Sequence, residues 1–407
     1  MANGQPKPAF YVAVGLVVVA LIAFAVWRSD ILAPKARTTA PDIDLKEFAE
    51  KVEQPGTGSP TTVKEYKYVP AQVLPDVPAI SAYKPMNDNT VRFAINVWAG
   101  WAPIIYANNG FQAAKEWPNP ESEGKPFKVE LVLIDDPVKM RDAYASGDIH
   151  IGWATLDMVP LFMESFVDKQ GKPRDPRIMP RIYQQVDWSN GGDGIVVRDY
   201  IKTVADLRGK KLVLAQNSPS HYFALNMLVY GGVQPSEVQW VFTEDAFQAA
   251  AAFNAQKDIA GCVSWAPDIY NLKDLPGNRM LVTTAEANKL IADVWFARAD
   301  FARDHPGIIE GLVRGIFDAM VELKNEAARK KVASLMAKGY NMPEANALGM
   351  LGDAHSTNWA ENYQFFLNQN NPTNFEAVWN RAYYLYRRIG SIMASKMPRT
   401  RPSMMPG

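Results

Sequence analysis

From about residue 90 the chain alternates between two hydrophobic rhythms. Short apolar runs at 91–98, 127–134 and 149–155 each end in a polar turn. Stretches with apolar residues at helical spacing follow, at 104–108, 138–146 and 158–166. The same alternation returns at 194–197, 210–215, 238–243, 259–265 and 291–297, with helical runs at 222–230 and 246–254. Strands alternating with helices across short turns predict an α/β fold of parallel sheet and crossover helices. Ligands of such sheets bind beyond the carboxyl ends of the strands. In the first half those ends carry Trp98, Gly100, Trp101, Asp135, Asp136, Trp153, Thr155 and Asp157. Beyond 297 the pattern is helical, over 301–325, 327–339, 343–351 and 374–391.

One turn stands apart. Residues 212–215 form a short apolar run, the polar Gln216-Asn217-Ser218-Pro219-Ser220-His221 follows, and a helical stretch closes at Gly231-Gly232. A strand, a turn and a helix so arranged point free N–H groups and a positive dipole end toward the sheet mouth, where a small anion can sit. The plainer reading is that Ser218 or Ser220 caps the helix. Asp135, Asp157, Asp268 and Asp293 could recognise an amine or cation, or cap the helices that follow them. Asp293 interrupts an apolar strand, so it needs either a ligand or a partner in a salt bridge. Trp153 and Trp265 read as core rings or as cleft walls.

Composition narrows the function. A chain of 407 residues exceeds one small core, which predicts two lobes. Lys plus Arg and Asp plus Glu both number 43, a balance that gives no footprint for nucleic acid. The single Cys262 excludes an internal disulfide and a cysteine metal cluster, and the four His lack zinc spacing. No metal or cofactor is expected. No nucleophile, base and orienter assemble from spacing, so an enzyme is not expected either.

Residues 10–27 carry no charge and as a helix would span about 27 Å, close to a hydrocarbon core. We read 1–32 as an uncleaved membrane anchor, with a cleaved signal as the alternative. Residues 33–88, rich in Pro, read as an extended tether. The lobes are expected at 89–190 (first lobe), 191–290 (second lobe) and 291–396 (return to the first lobe, with a helical extension), before a loose tail at 397–407.

Several motifs now fall in order: Trp98-Ala99-Gly100-Trp101-Ala102-Pro103, Ala145-Ser146-Gly147-Asp148-Ile149, Thr203-Val204-Ala205-Asp206-Leu207-Arg208-Gly209, Ser218-Pro219-Ser220-His221-Tyr222, Trp265-Ala266-Pro267-Asp268, Ile291-Ala292-Asp293-Val294 and Phe301-Ala302-Arg303-Asp304-His305-Pro306. Together they resemble the periplasmic solute-binding proteins of ABC importers in the sulfonate, taurine, nitrate and thiamine-precursor group. The C-terminal part is similar to phosphate-type substrate-binding proteins that often carry an OmpA-like domain. The resemblance implies a type II periplasmic binding fold with hinge crossings near 187–194 and 285–293. It implies a small-molecule ligand, organic or oxyanionic, its acid group held near Trp98, Trp101, Ser218, Ser220 and His221. An ABC permease and ATPase would be the partners, at the bacterial inner membrane with the binding domain in the periplasm. The alternative is a ligand-gated sensor or scaffold of another inner-membrane complex. His150 stands where similar chains often have an acidic or small residue. A related thiamine-pyrimidine synthase of this fold would require a Cys-rich iron motif, which is absent from this sequence.

Overall fold

The computed structural model describes residues 62–394 apart from 64, 72, 122 and 123. The proposed anchor at 1–32, the tether up to residue 61 and the tail at 397–407 lie outside the described residues. Among the described residues no helix is long and apolar enough to cross a membrane.

The first described strand is β1 (Tyr68–Val69). The chain then runs through β2 (Thr90–Ile95), α1 (Ala102–Ala107), β3 (Glu116–Trp117), β4 (Phe127–Leu133), α2 (Pro137–Ala145), β5 (Ile151–Thr155) and α3 (Val159–Phe166). Strand β4 alternates buried and half-exposed positions, as a strand with one covered face should. Asp136 starts α2 by accepting from the Val138 and Lys139 amides at 2.8 and 3.1 Å, an N-cap that contributes about 1 kcal/mol. Next come β6 (Pro180–Ser189) and β7 (Asp193–Arg198), and with β7 the chain enters a second sheet.

That sheet adds β8 (Lys211–Ala215), α4 (Pro219–Tyr230), β9 (Gln239–Thr243), α5 (Ala246–Ala255), β10 (Ile259–Trp265), α6 (Asp268–Lys273) and β11 (Asn278–Thr283). The return strand β12 (Ala292–Arg298) rejoins the first sheet. Helices α7 (Ala299–Asp304), α8 (Pro306–Glu322), α9 (Glu326–Tyr340) and α10 (Glu344–Met350) follow. Strand β13 (Ala354–Ser356) and helices α11 (Trp359–Leu367) and α12 (Phe375–Arg388) complete the described chain.

The first sheet has the order β13-β6-β12-β5-β2-β4-β3 and the second β1-β9-β8-β10-β7-β11. The parallel sheet expected from the alternation is only the middle of each. Strand β2 pairs in parallel with β4 and β5, and β8 with β9 and β10. The strands that carry the chain between sheets, β6, β7 and β12, pair antiparallel to their neighbours. The antiparallel return places the start of β12 beside the carboxyl end of β5. Two carboxylates on this edge thereby become neighbours.

Residues 62–88 were read as part of a spacer, but their described portion is bound to the fold. Strand β1 extends the second sheet beside β9. The Thr62 amide and hydroxyl donate to Asp268 at 2.8 and 3.0 Å. Further on, the fully buried Arg141 donates to the Pro75 carbonyl at 2.8 Å, and the fully buried Arg298 donates to Ser81. A guanidinium in the interior has to fill its donors with acceptors, and these two draw the Pro-rich chain onto the first lobe. The single long helix expected at 301–325 is split into α7 and α8, because Pro306 lacks an N–H and starts a new helix.

Candidate ligand-binding site

Where the strand ends of the two sheets meet, four side chains lie in one cross-strand row. Ser356, Asp187, Asp293 and Thr155 are successive register partners on β13, β6, β12 and β5. Directly opposed residues of antiparallel strands have Cβ atoms about 4.5–5.5 Å apart, and like charges there repel. Asp187 and Asp293 are 0% and 3% exposed, so water does little to screen them. The Trp98 indole N–H donates to Asp187 Oδ2 at 3.2 Å, while Asp187 Oδ1 has no partner. Gly100 permits this arrangement. A Cβ added there would stand 1.6 Å from Asp187 Oδ2, so any side chain would push the carboxylate away.

Three more buried aspartates adjoin this row. Asp157, just past β5, has Oδ2 at 3.5 Å from the Tyr386 hydroxyl, while Oδ1 lacks a hydrogen-bond partner. Asp193 opens β7 across the hinge and accepts from the Ser189 hydroxyl at 2.6 Å. Asp353 accepts from the Tyr270 hydroxyl at 2.6 Å through one oxygen and leaves the other unbonded. Burial pushes Asp157, Asp187 and Asp193 up to about 7 and Asp353 to about 6. Asp293 is driven well above the ordinary range, first by burial, then by the negative charge of Asp187 and Asp193, and by its hydrogen bond to the Asp187 carboxylate, in which Asp293 carries the proton. The basic group that acts on Asp187 is His355, which is half-exposed and already paired with Glu361 at 2.6 Å.

Aromatic rings and interlobe bonds close the junction. A Cβ on Gly192 would meet the Trp98 ring at 2.3 Å, so this hinge glycine leaves room for the edge of the indole. Trp265 of the second lobe donates its indole N–H to the Val97 carbonyl of the first at 3.0 Å. Tyr386 on α12 reaches both lobes, since its hydroxyl also lies 3.4 Å from the Ser218 carbonyl.

Of the residues singled out from sequence, the structure brings Trp98, Gly100, Thr155 and Asp293 together. Others lie elsewhere. Trp101 is a core ring, packed on Phe93 and bonded to Asn96 Oδ1 at 2.7 Å. Trp153 is fully buried and donates to the Ile134 carbonyl at 3.0 Å. Asp135 accepts from the Val97 amide at 2.7 Å, and burial raises it to about 6. Asp268 is taken up by Thr62, and Trp265 by the interlobe bond.

At the α4 start, Ser218 donates to the Ala215 carbonyl at 2.7 Å and makes no side-chain cap bond. His221 accepts from the Asn217 amide through Nδ1 at 3.2 Å and is boxed by Trp240, Phe242 and Tyr386. Burial lowers it to about 3, so it is neutral and adds no positive charge. The Ser220 hydroxyl is buried without a partner. His150 is a satisfied core residue between the Arg92 amide and the Lys84 carbonyl. Asp157 does not cap α3, whose N-cap position is Met158 and carries no side-chain bond. Asp187, Asp193, Asp353, Tyr270 and Tyr386 were not singled out from sequence as ligand contacts. The polar run Gln184-Gln185 before Asp187, within a strand buried along most of its length, is the signal that could have pointed to them.

Residues 192–327 match the family described as NMT1/THI5 like. The matched stretch runs from the start of β7 through the second sheet and the return strand β12 to the end of α8. The chain is similar to the taurine-binding periplasmic protein of Escherichia coli K12, 26% identical over 55% of this chain and 67% of that one. It is also similar to a putative aliphatic sulfonates-binding protein of the same organism, 28% identical over 53% of this chain and 63% of that one. Among solved structures, the periplasmic aliphatic sulphonate binding protein SsuA of Escherichia coli superposes with a TM-score of 0.57 at 18% identity, covering 79% of this chain and 95% of that one. The periplasmic nitrate-binding protein NrtA of Synechocystis PCC 6803 gives a TM-score of 0.52 at 16% identity, covering 77% and 91%. These likenesses establish the two-sheet periplasmic binding protein fold.

Proposed function

We propose that this chain is an extracytoplasmic solute-binding protein that captures a small organic ligand between its lobes for an ABC importer. The observation that carries the reading is the convergence of Trp98, Asp187, Asp293, Asp157, Asp193 and Tyr386 at the junction of two sheets joined by a hinge. Polar groups there are buried without full pairing, which a binding cleft tolerates and a plain packing interface does not. The relatives named for taurine and sulfonate binding support a receptor rather than a catalyst. Ligand contacts made to both lobes at once would shift the population toward the closed form, which then docks on a permease.

The test is a thermal-shift and calorimetry screen of the full chain with small organic solutes. A ligand at about 100 times its dissociation constant adds about 2.7 kcal/mol, a shift of several degrees. Absence of any shift across cationic, zwitterionic and anionic solutes would remove the receptor reading. The apolar segment 10–27 supports retention at the inner membrane. Recovery of the chain in the carbonate-washed membrane fraction is expected, and its release as a shortened soluble protein would replace the anchor by a cleaved signal.

A further inference from the structure

Resting on the receptor reading, we infer that the ligand is a small organic cation, a protonated amine or guanidinium compound, gripped by Asp187 and Asp293 and walled by the Trp98 ring. The argument starts from charge. Five carboxylates, on Asp157, Asp187, Asp193, Asp293 and Asp353, are each at most 7% exposed and interact with one another across the junction. A buried carboxylate is stable only when it is protonated, bonded or paired with positive charge. Here three oxygens, Oδ1 of Asp157, Oδ1 of Asp187 and Oδ2 of Asp353, have no hydrogen-bond donor.

A second observation points the same way. The Thr155 hydroxyl, 2% exposed and register partner of Asp293, has no hydrogen-bond partner. The Gln185 side-chain oxygen, two residues before Asp187, has none either. These are acceptors that an ammonium or guanidinium N–H would fill.

A lone sulfonate or nitrate would find no positive charge along this row. Among the described residues no group of His, Cys, Asp and Glu is arranged to hold a metal ion, which leaves an organic cation. The Trp98 indole, bonded to Asp187, is an aromatic ring of the kind that attracts such cations. The ligand class therefore differs from that named for the sulfonate-binding relatives.

The experiment incubates the full chain with an equimolar mixture of putrescine, agmatine, choline, taurine, ethanesulfonate and nitrate, and identifies what is retained by mass spectrometry. Retention of a cation is expected. Its affinity should rise tenfold or more between pH 5.5 and pH 8 as Asp157, Asp187, Asp193 and Asp353 ionise, and binding should release protons. The other titratable groups facing them are His355, Tyr222, Tyr270 and Tyr386. Asp187→Asn and Asp293→Asn should each lower affinity tenfold or more while the melting temperature of the ligand-free protein stays equal or rises. Asp353→Asn provides a milder variant should either of those fail to fold. Retention of ethanesulfonate or nitrate without any cation overturns the charge assignment and leaves the receptor reading standing. Retention of nothing overturns both.

Discussion

Replacing Asp157 by Asn keeps the side chain's shape and removes its charge. In the folded protein this group is raised to about 7, whereas in the unfolded chain it titrates near 4. Between those values the folded state holds the extra proton, so wild-type stability falls as pH rises through the window and is level above it. Asp157→Asn should therefore gain on the wild type from about pH 4 to pH 7, reaching on the order of 1–3 kcal/mol in urea denaturation of the ligand-free protein. A gap that does not change with pH would mean that Asp157 is already compensated. Gly100→Ala should act in the opposite sense, because its methyl displaces the Asp187 carboxylate. A loss of about 1–3 kcal/mol, together with weaker ligand binding, is expected. At this scale the sequence was informative wherever a residue broke its local pattern. Asp293 in an apolar strand and Gly100 between two Trp were visible. His221 and Ser218 looked equally suited to a ligand, yet their side chains are occupied by the turn itself.

At the scale of elements, the strands buried on both faces were readable because they are nearly all apolar, as with β5, β8 and β10. Strand β6 was not read. Its sequence PRIYQQVDWS contains Gln184, Gln185 and Asp187 at buried positions, which a hydrophobic pattern scores as loop. Those residues are tolerated because Gln184 accepts from Trp295 at 2.9 Å and Gln185 is bonded through its backbone amide to Asn362 at 2.8 Å. The partners come from β12 and α11, more than 100 residues away, so no local window contains the reason. Helix α12 was legible from its spacing, but not that Tyr386 would bridge the lobes. Trp265→Phe, which removes the interlobe bond to Val97 and keeps most of the ring packing, should bias the ligand-free protein toward opening by about 1 kcal/mol. That is roughly a fivefold change in population. Ligand dissociation measured by stopped flow should quicken accordingly, and an unchanged rate would show that the bond does not hold the lobes together.

For the whole molecule, the receptor reading predicts that a saturating ligand reduces the radius of gyration in solution scattering, since closure needs contacts that only ligand supplies. Identical scattering with and without a bound ligand would mean that the two sheets already sit in their final relation. The sequence by itself determined the α/β class, most of the strands along the chain and the balance of charge, because periodicity and composition are local or summed quantities. Only the tertiary structure decided that five aspartates spread from residue 157 to residue 353 meet at one junction. Register across β6, β12 and β5, and the chain's crossings between sheets, bring them within reach, and no pattern along the chain encodes that distance. Burial then gives those carboxylates their character, since the same groups on a solvated surface would be ordinary acids.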